Sequence, residues 1–172
     1  MDKSDFKFDR VSKRIIQELQ KNARISNRDL AEKVNLSPSA CLKRTKKLEE
    51  QGYIRHYTVE LDLNRVCTSV MAMAQLAIGD NRGRAAEVNI EAAIRKLPQA
   101  VECFKTSGEY HYLVHFICRD LEEYNDISNR LLEQDLGISR ITSNFVLSTP
   151  KPFQSYPLGE LEWLNDMDER SS

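Results

Sequence analysis

The chain has 172 residues, enough for one domain or two small ones, and its 41% hydrophobic and 30% charged composition is that of a globular protein. No apolar run approaches the roughly 18 residues that cross a bilayer, and the opening MDKSDFKFDR lacks the apolar core of a secretion signal, so the cytoplasm is the expected location. The net charge of −1 conceals a division: up to His56 there are 14 Lys and Arg against 8 Asp and Glu (+6), and beyond it 11 against 18 (−7). A basic head on an acidic body suits a nucleic-acid binder with a separate assembly or sensing domain.

Residues 1–8 read as a mobile leader. Asp9 can cap a first helix whose stripe is Val11, Ile15, Ile16 and Leu19. Ser26 can cap a second, carrying Leu30, Ala31 and Val34 inward, until Asn35-Leu36 breaks it. Ser37 then caps a third, with Pro38 at the first helical position, where a missing N–H costs nothing. This helix points Cys41, Leu42, Thr45 and Leu48 inward and leaves Ser39, Lys43, Lys46 and Lys47 outside, with Arg44 near the boundary. Cys41 on the inward side suits packing rather than redox sensing. Gly52 stops the helix, and Tyr53-Ile54-Arg55-His56-Tyr57 starts a strand.

Two short helices with a tight turn form a helix-turn-helix, whose second helix enters the major groove. An ordinary amphipathic pair with solvated lysines would share the periodicity. Here capping, turn and one-sided charge agree with one another, which favours DNA. Ser37, Pro38 and Ser39 then form a helix N-terminus suited to a phosphate or base edge. Lys43, Arg44, Lys46 and Lys47 can neutralise phosphates and reach bases, and Arg55 and His56 can touch neighbouring phosphates.

The stretch ISNRDLAEKVNLSPSACLKRTKKLEEQGYIRHYTVELD resembles the winged helix-turn-helix of the Lrp/AsnC, or feast/famine, transcription regulators, with their pattern RIS…LA…V.LSP..C..R...LE..G.I..Y. The resemblance extends more weakly to about Leu147. It implies a second domain that binds an effector and pairs subunits by packing their sheets face to face, with dimers assembling into rings, often octamers.

Beyond the third helix, Val59, Leu61 and Leu63 alternate as in a half-buried connecting strand. The domain division expected is 1–61 for the DNA-binding head, 62–68 for a linker, 69–149 for the second domain and 150–172 for a C-terminal extension. Ser69–Ile78 reads as a strand, and Gly79–Gly83 as a polar turn. A helix follows with Ala85, Val88, Ala92 and Leu97 on its face, Ala93 and Ile94 nearby, ended by Pro98. Ala100–Thr106 and Tyr110–Cys118 form a hairpin around Gly108. Leu121, Tyr124, Ile127, Leu131 and Leu132 line another helix, stopped at Gly137, and Ile141–Ser148 closes the pattern. The fold class expected is α+β: a winged helix-turn-helix followed by a ferredoxin-like βαββαβ domain of the RAM type.

The turn Thr106-Ser107-Gly108-Glu109-Tyr110-His111 matches a family turn usually written SGD(Y/F)D, which helps form the amino-acid pocket between subunits. The resemblance therefore implies effector binding by Gly108, Glu109, Tyr110 and His111, with Ser143 loosely at another pocket position. Glu109 and His111 replace the two aspartates, which argues against leucine itself as effector. A tight hairpin turn with no ligand is the alternative. His111 and His115, at i and i+4 on one strand, would lie about 13 Å apart, too far for one metal whose ligands sit at about 2 Å. Four cysteines without a CxxC pair suggest reduced thiols. No GxSxG, Walker loop, GxGxxG or HExxH is present, so no enzyme, cofactor or metal is expected.

In the extension, Leu158, Leu161, Trp163 and Leu164 suggest either a frayed tail or a short helix docking on another subunit, and docking is the reading taken. The function expected is a sequence-specific transcription regulator that binds double-stranded DNA as a homodimer or higher oligomer and responds to an amino acid. The alternative is a small-molecule-binding metabolic protein whose N-terminal helices mediate protein interaction.

Overall fold

The computed structural model describes residues 8–79 and 83–164, without side chains at 83 and 84. The leader before Phe8, residues 80–82 of the polar turn and the tail after Leu164 lie outside them. The chain divides into two compact units, residues 1–59 with 151–172, and residues 60–150.

The first unit is a helical lobe. Helix α1 (Arg10–Lys21) is capped by Asp9, which accepts the Ser12 amide at 2.9 Å. Helix α2 (Asn27–Lys33) is capped by Ser26, and α3 (Pro38–Glu50) by Ser37, with Pro38 at its start. The α2–α3 turn needs a residue with positive φ, and Asn35 supplies it at 56°, being one of the few side chains that visit this region. Gly52, at 76°, ends α3 in the same way. Ile15, Leu30, Ala31, Val34, Cys41 and Leu48 are buried together.

Three expectations are overturned here. Phe8 is core rather than leader: it is 8% exposed and stacks on Tyr53 at 4.6 Å between ring centroids. Leu42 points outward, 46% exposed, because Cys41, Thr45 and Leu48 already fill the inner arc of α3. The expected strand over 53–63 does not form either. Residues 55–62 carry no ladder, Val59 is 72% exposed, and Leu63 opens a short helix, α4 (Leu63–Val66). Alternation makes a strand only where a neighbouring strand takes the backbone bonds, and none is present here among the described residues.

The second unit is the ferredoxin-like arrangement: β1 (Val70–Ile78), α5 (Gly83–Arg95), β2 (Ala100–Lys105), β3 (Tyr112–Cys118), α6 (Leu121–Glu133) and β4 (Ile138–Phe145). The sheet is antiparallel, in the order β2-β3-β1-β4. Ala72, Ala74 and Leu76 of β1 alternate inward with Tyr112, Val114, Phe116 and Cys118 of β3, and pack against Ile90 and Ile94 of α5 and Tyr124, Ile127 and Leu131 of α6. Helix α5 is rotated from the expected face. Ala86, Ile90 and Ile94 are inside, while Val88 is 60% exposed. Alanines on both sides leave the stripe ambiguous, and the two isoleucines decide it by burying more surface. Leu121 and Leu132 of α6 are likewise exposed. Strand β4 starts three residues earlier than expected, just after Gly137, whose φ is +87°. The other sheet face carries Met71, Met73, Gln75, Leu113, His115 and Ile117, all half-buried.

Glu18 of α1 joins two helices of the lobe. It accepts Lys21 at 2.8 Å and Lys33 of α2 at 2.7 Å. Those bonds, from Lys21 and then Lys33, lower its carboxyl from 4.5 to about 2. A depressed carboxyl stabilises the fold above its unfolded value and ceases to do so as pH falls through the folded value. Glu18→Gln should therefore lower the melting temperature of the lobe at neutral pH and flatten its decline between pH 4.5 and about 2. Melting curves of both proteins across that window check this.

Candidate nucleic-acid interface and effector turn

Because Cys41 and Leu48 are fully buried, the opposite side of α3 must face outward. Ser37, Pro38, Ser39, Lys43 and Lys46 are all exposed there. The Ser37 and Ser39 hydroxyls lie 3.2 Å apart at the helix start, and Asn27 of α2 donates to the Pro38 carbonyl at 2.8 Å, fixing α2 against α3. Lys47 is half-buried and already engaged with the protein. Arg55 and His56 are exposed on the segment after α3. That segment is pinned where Tyr57 donates to Glu49 at 2.8 Å, and burial together with the Glu49 carboxylate pushes the phenol up to about 12.

Arg44 departs from the expected phosphate contact. Its guanidinium turns back to α1, donating to Asp9 and, at 3.1 Å, to the hydroxyl of the fully buried Ser12. Burial alone would raise the Asp9 carboxyl, but the Ser12 amide and Arg44 outweigh it and hold the carboxyl below its ordinary value. Arg44 thus sets α3 against α1, and the exposed cations of α3 are Lys43 and Lys46. Position alone could not separate these roles, since Arg44 sits at the edge of the inner arc.

The turn between β2 and β3 is built by backbone and side chain together. Gly108 has φ +110°. The Thr106 amide donates to the His111 carbonyl at 2.9 Å, and its hydroxyl donates to the Tyr110 carbonyl at 2.6 Å. His111 lies before β3 rather than on it, and its Nδ1 accepts the Ile78 amide at 3.1 Å. Glu109 pairs with Arg140, and Tyr110 reaches the Thr142 hydroxyl at 3.2 Å, with the Arg140 guanidinium 5.0 Å from its ring centre. Arg140 and Thr142 were missed in the sequence. The two-residue alternation of β4 could have found them, because it puts both on one face and Ser143 on the other. Ser143 bonds Tyr124 of α6 and is thereby apart from the turn. His115 lies on the open sheet face, 3.6 Å from Glu102. Among the described residues no three His, Cys, Asp or Glu side chains gather to hold a metal.

A family profile described as winged helix-turn-helix DNA-binding matches residues 8–55, and one described as Lrp/AsnC ligand binding domain matches residues 78–156. The transcriptional regulator AzlB of Bacillus subtilis is 35% identical over 154 residues, covering 90% of this chain and 98% of that one. The chain belongs to the Lrp/AsnC family of transcriptional regulators. The leucine-responsive regulatory protein of Salmonella typhimurium is 34% identical over 146 residues, 84% of this chain and 87% of its own. A transcriptional regulator from Neisseria meningitidis, solved as a complex with L-methionine, superimposes with a TM-score of 0.77 at 33% identity, over 88% of this chain and 97% of that one. Such Lrp/AsnC chains are DNA-binding regulators rather than enzymes. Among the described residues of this one, no helix is long and apolar enough to cross a membrane.

Two measurements test the geometry of these sites. Arg44→Ala and Asp9→Asn should each destabilise the lobe by about 1 kcal/mol, a value discounted for partial exposure. The double variant should lose less than the two together. Denaturant titrations of the four proteins give this coupling. A Cβ at Gly108 meets no neighbouring atom and the backbone there has φ +110°, so Gly108→Val is expected to cost about 1–3 kcal/mol of backbone strain. Calorimetry should place that loss in the unit of residues 60–150, with the helical lobe melting as before.

Proposed function

We propose that this chain is a sequence-specific transcription regulator that reads DNA through α3 and responds to a free amino acid. The observation that carries the first half is the exposed row Ser39, Lys43 and Lys46 on α3, with Arg44 withdrawn into bracing the helix. Lys46 neutralises phosphate, and Ser39 and Lys43 reach base edges. Arg55 and His56 lie against the flanking backbone. Paired lobes of a dimer meet half-sites separated by about 10 base pairs or a multiple.

The effector half is supported by the L-methionine bound to the Neisseria relative and by the charges at the turn. Glu109 and Arg140 pair with each other. A zwitterionic amino acid offers them better-matched partners: its carboxylate for Arg140 and its ammonium group for Glu109. Gly108 lets the backbone approach closely, and Tyr110 and His111 complete the wall. The open sheet face, with Met71, Met73, Leu113 and Ile117, supports a homodimer formed sheet to sheet. The site of action is the cytoplasm, where DNA and free amino acids are both present.

Titrating duplex DNA at several salt concentrations tests the interface. Binding should weaken steeply with salt. Lys46→Ala should lower the slope by about 1 across all sequences, whereas Ser39→Ala and Lys43→Ala should change sequence preference. Unchanged affinity in all three would refute docking through α3. A thermal-shift screen of the standard amino acids, with L-methionine and L-leucine first, should give a stabilising hit that Arg140→Ala removes.

A further inference from the structure

The ligand-binding profile ends at residue 156, yet the following residues are tied down on the helical lobe. Trp163, the single tryptophan of the chain, packs against Phe8 with ring centroids 5.4 Å apart. The Lys13 ammonium of α1 lies 5.3 Å from the Trp163 ring centre. Farther back, the Tyr156 amide donates to the Gln20 side chain of α1 at 3.0 Å. Among the described residues the expected helix does not span 158–163: residues 158–160 form a turn, 161–163 are irregular, and helical backbone begins only at Leu164. The Trp163 contacts are made to the lobe of its own chain.

The polypeptide therefore passes between its two units twice, once after Val59 and again after Pro150. We propose that residues 151–164 act as a second tether on the DNA-binding lobe, clasped by Trp163, and that this tether relays rearrangements of β4 to α1. Its upstream end is continuous with β4, which carries Arg140 and Thr142, the partners of the Gly108 turn. A shift at the turn has a route to α1, along the chain and then through the Tyr156 and Trp163 contacts, that avoids residues 60–69. The relay rests on the amino-acid-responsive reading, whereas the tether does not. A lobe held at two points also loses less orientational freedom on meeting DNA than a lobe held at one.

The test severs the first connection in the full chain. A recognition sequence for a site-specific protease is inserted between Val59 and Glu60, and the folded protein is nicked. With the clasp intact, the N-terminal fragment should co-elute with the remainder on size exclusion. Trp163→Ala should release it, and Lys13→Gln should release it in part. Separation of the nicked parent protein, or equal retention in the Trp163→Ala protein, would overturn the tether. Circular dichroism of the uncut variants establishes that the lobe is folded, and the lone Trp163 reports docking by its protection from acrylamide quenching. Uncut Trp163→Ala should bind duplex DNA severalfold more weakly with the same salt slope, and unchanged affinity would overturn the orienting role. For the relay, a β4 response is introduced without a ligand. Arg140→Ala should change hydrogen exchange in α1 of the parent but not of the Trp163→Ala protein, and exchange unaltered in both would overturn it. A parent protein that binds no duplex would refute the regulator reading, leaving co-elution to judge the tether.

Discussion

Everything the helical lobe offers to a partner depends on the burial of Cys41 and Leu48 beneath α3. A helix has one degree of rotational freedom about its axis, and two fully enclosed side chains two turns apart remove it. Once they are inside, the direction of every other residue on α3 is settled. Removing a side chain of the size of Leu48 from such a site costs about 2–5 kcal/mol, more than any single exposed cation contributes to stability. The arrangement of charge is thus a by-product of hydrocarbon packing. Arg44 adds a finer constraint, since one guanidinium nitrogen, Nη1, donates to both Asp9 and Ser12 and resists sliding of α3 along α1.

The second unit obeys the same logic with a period of two. Residues of β1 and β3 that face α5 and α6 are apolar and enclosed, while their neighbours in sequence emerge on the other side. That alternation also divides β4. Arg140 and Thr142 are available to the turn, and the intervening parity sends Ser143 toward Tyr124. A polar strand residue can therefore reach the Gly108 turn only if it has the right parity, however near it stands in the chain.

Much of this could be read from the residues alone. The caps Asp9, Ser26 and Ser37, the breaks at Asn35 and Gly52, and the βαββαβ order all follow from local chemistry, and the structure contains them. What escaped were features set by distant neighbours. Arg44 has the same character as Lys43 until Asp9, 35 positions earlier, is brought beside it. Phe8 looks like part of a charged leader until Tyr53 and Trp163 enclose it. The strand expected over 53–63 failed because alternation says nothing about whether a partner strand exists. Helix α5 was misoriented because alanine is compatible with either side, and only the tertiary fit of Ile90 and Ile94 chose between them.

Leu42 gives the outward side of α3 a character that its lysines hide. Ser39, Leu42, Lys43 and Lys46 follow one another at helical intervals and form a single row. An exposed isobutyl group in such a row cannot exchange hydrogen bonds with any base. In the docking proposed above it can, however, shed water against the 5-methyl group of thymine, which projects into the major groove. A duplex presenting thymine opposite the centre of α3 would then be distinguished from one presenting cytosine by hydrocarbon contact, a preference that persists in strong salt after the ionic attraction has faded.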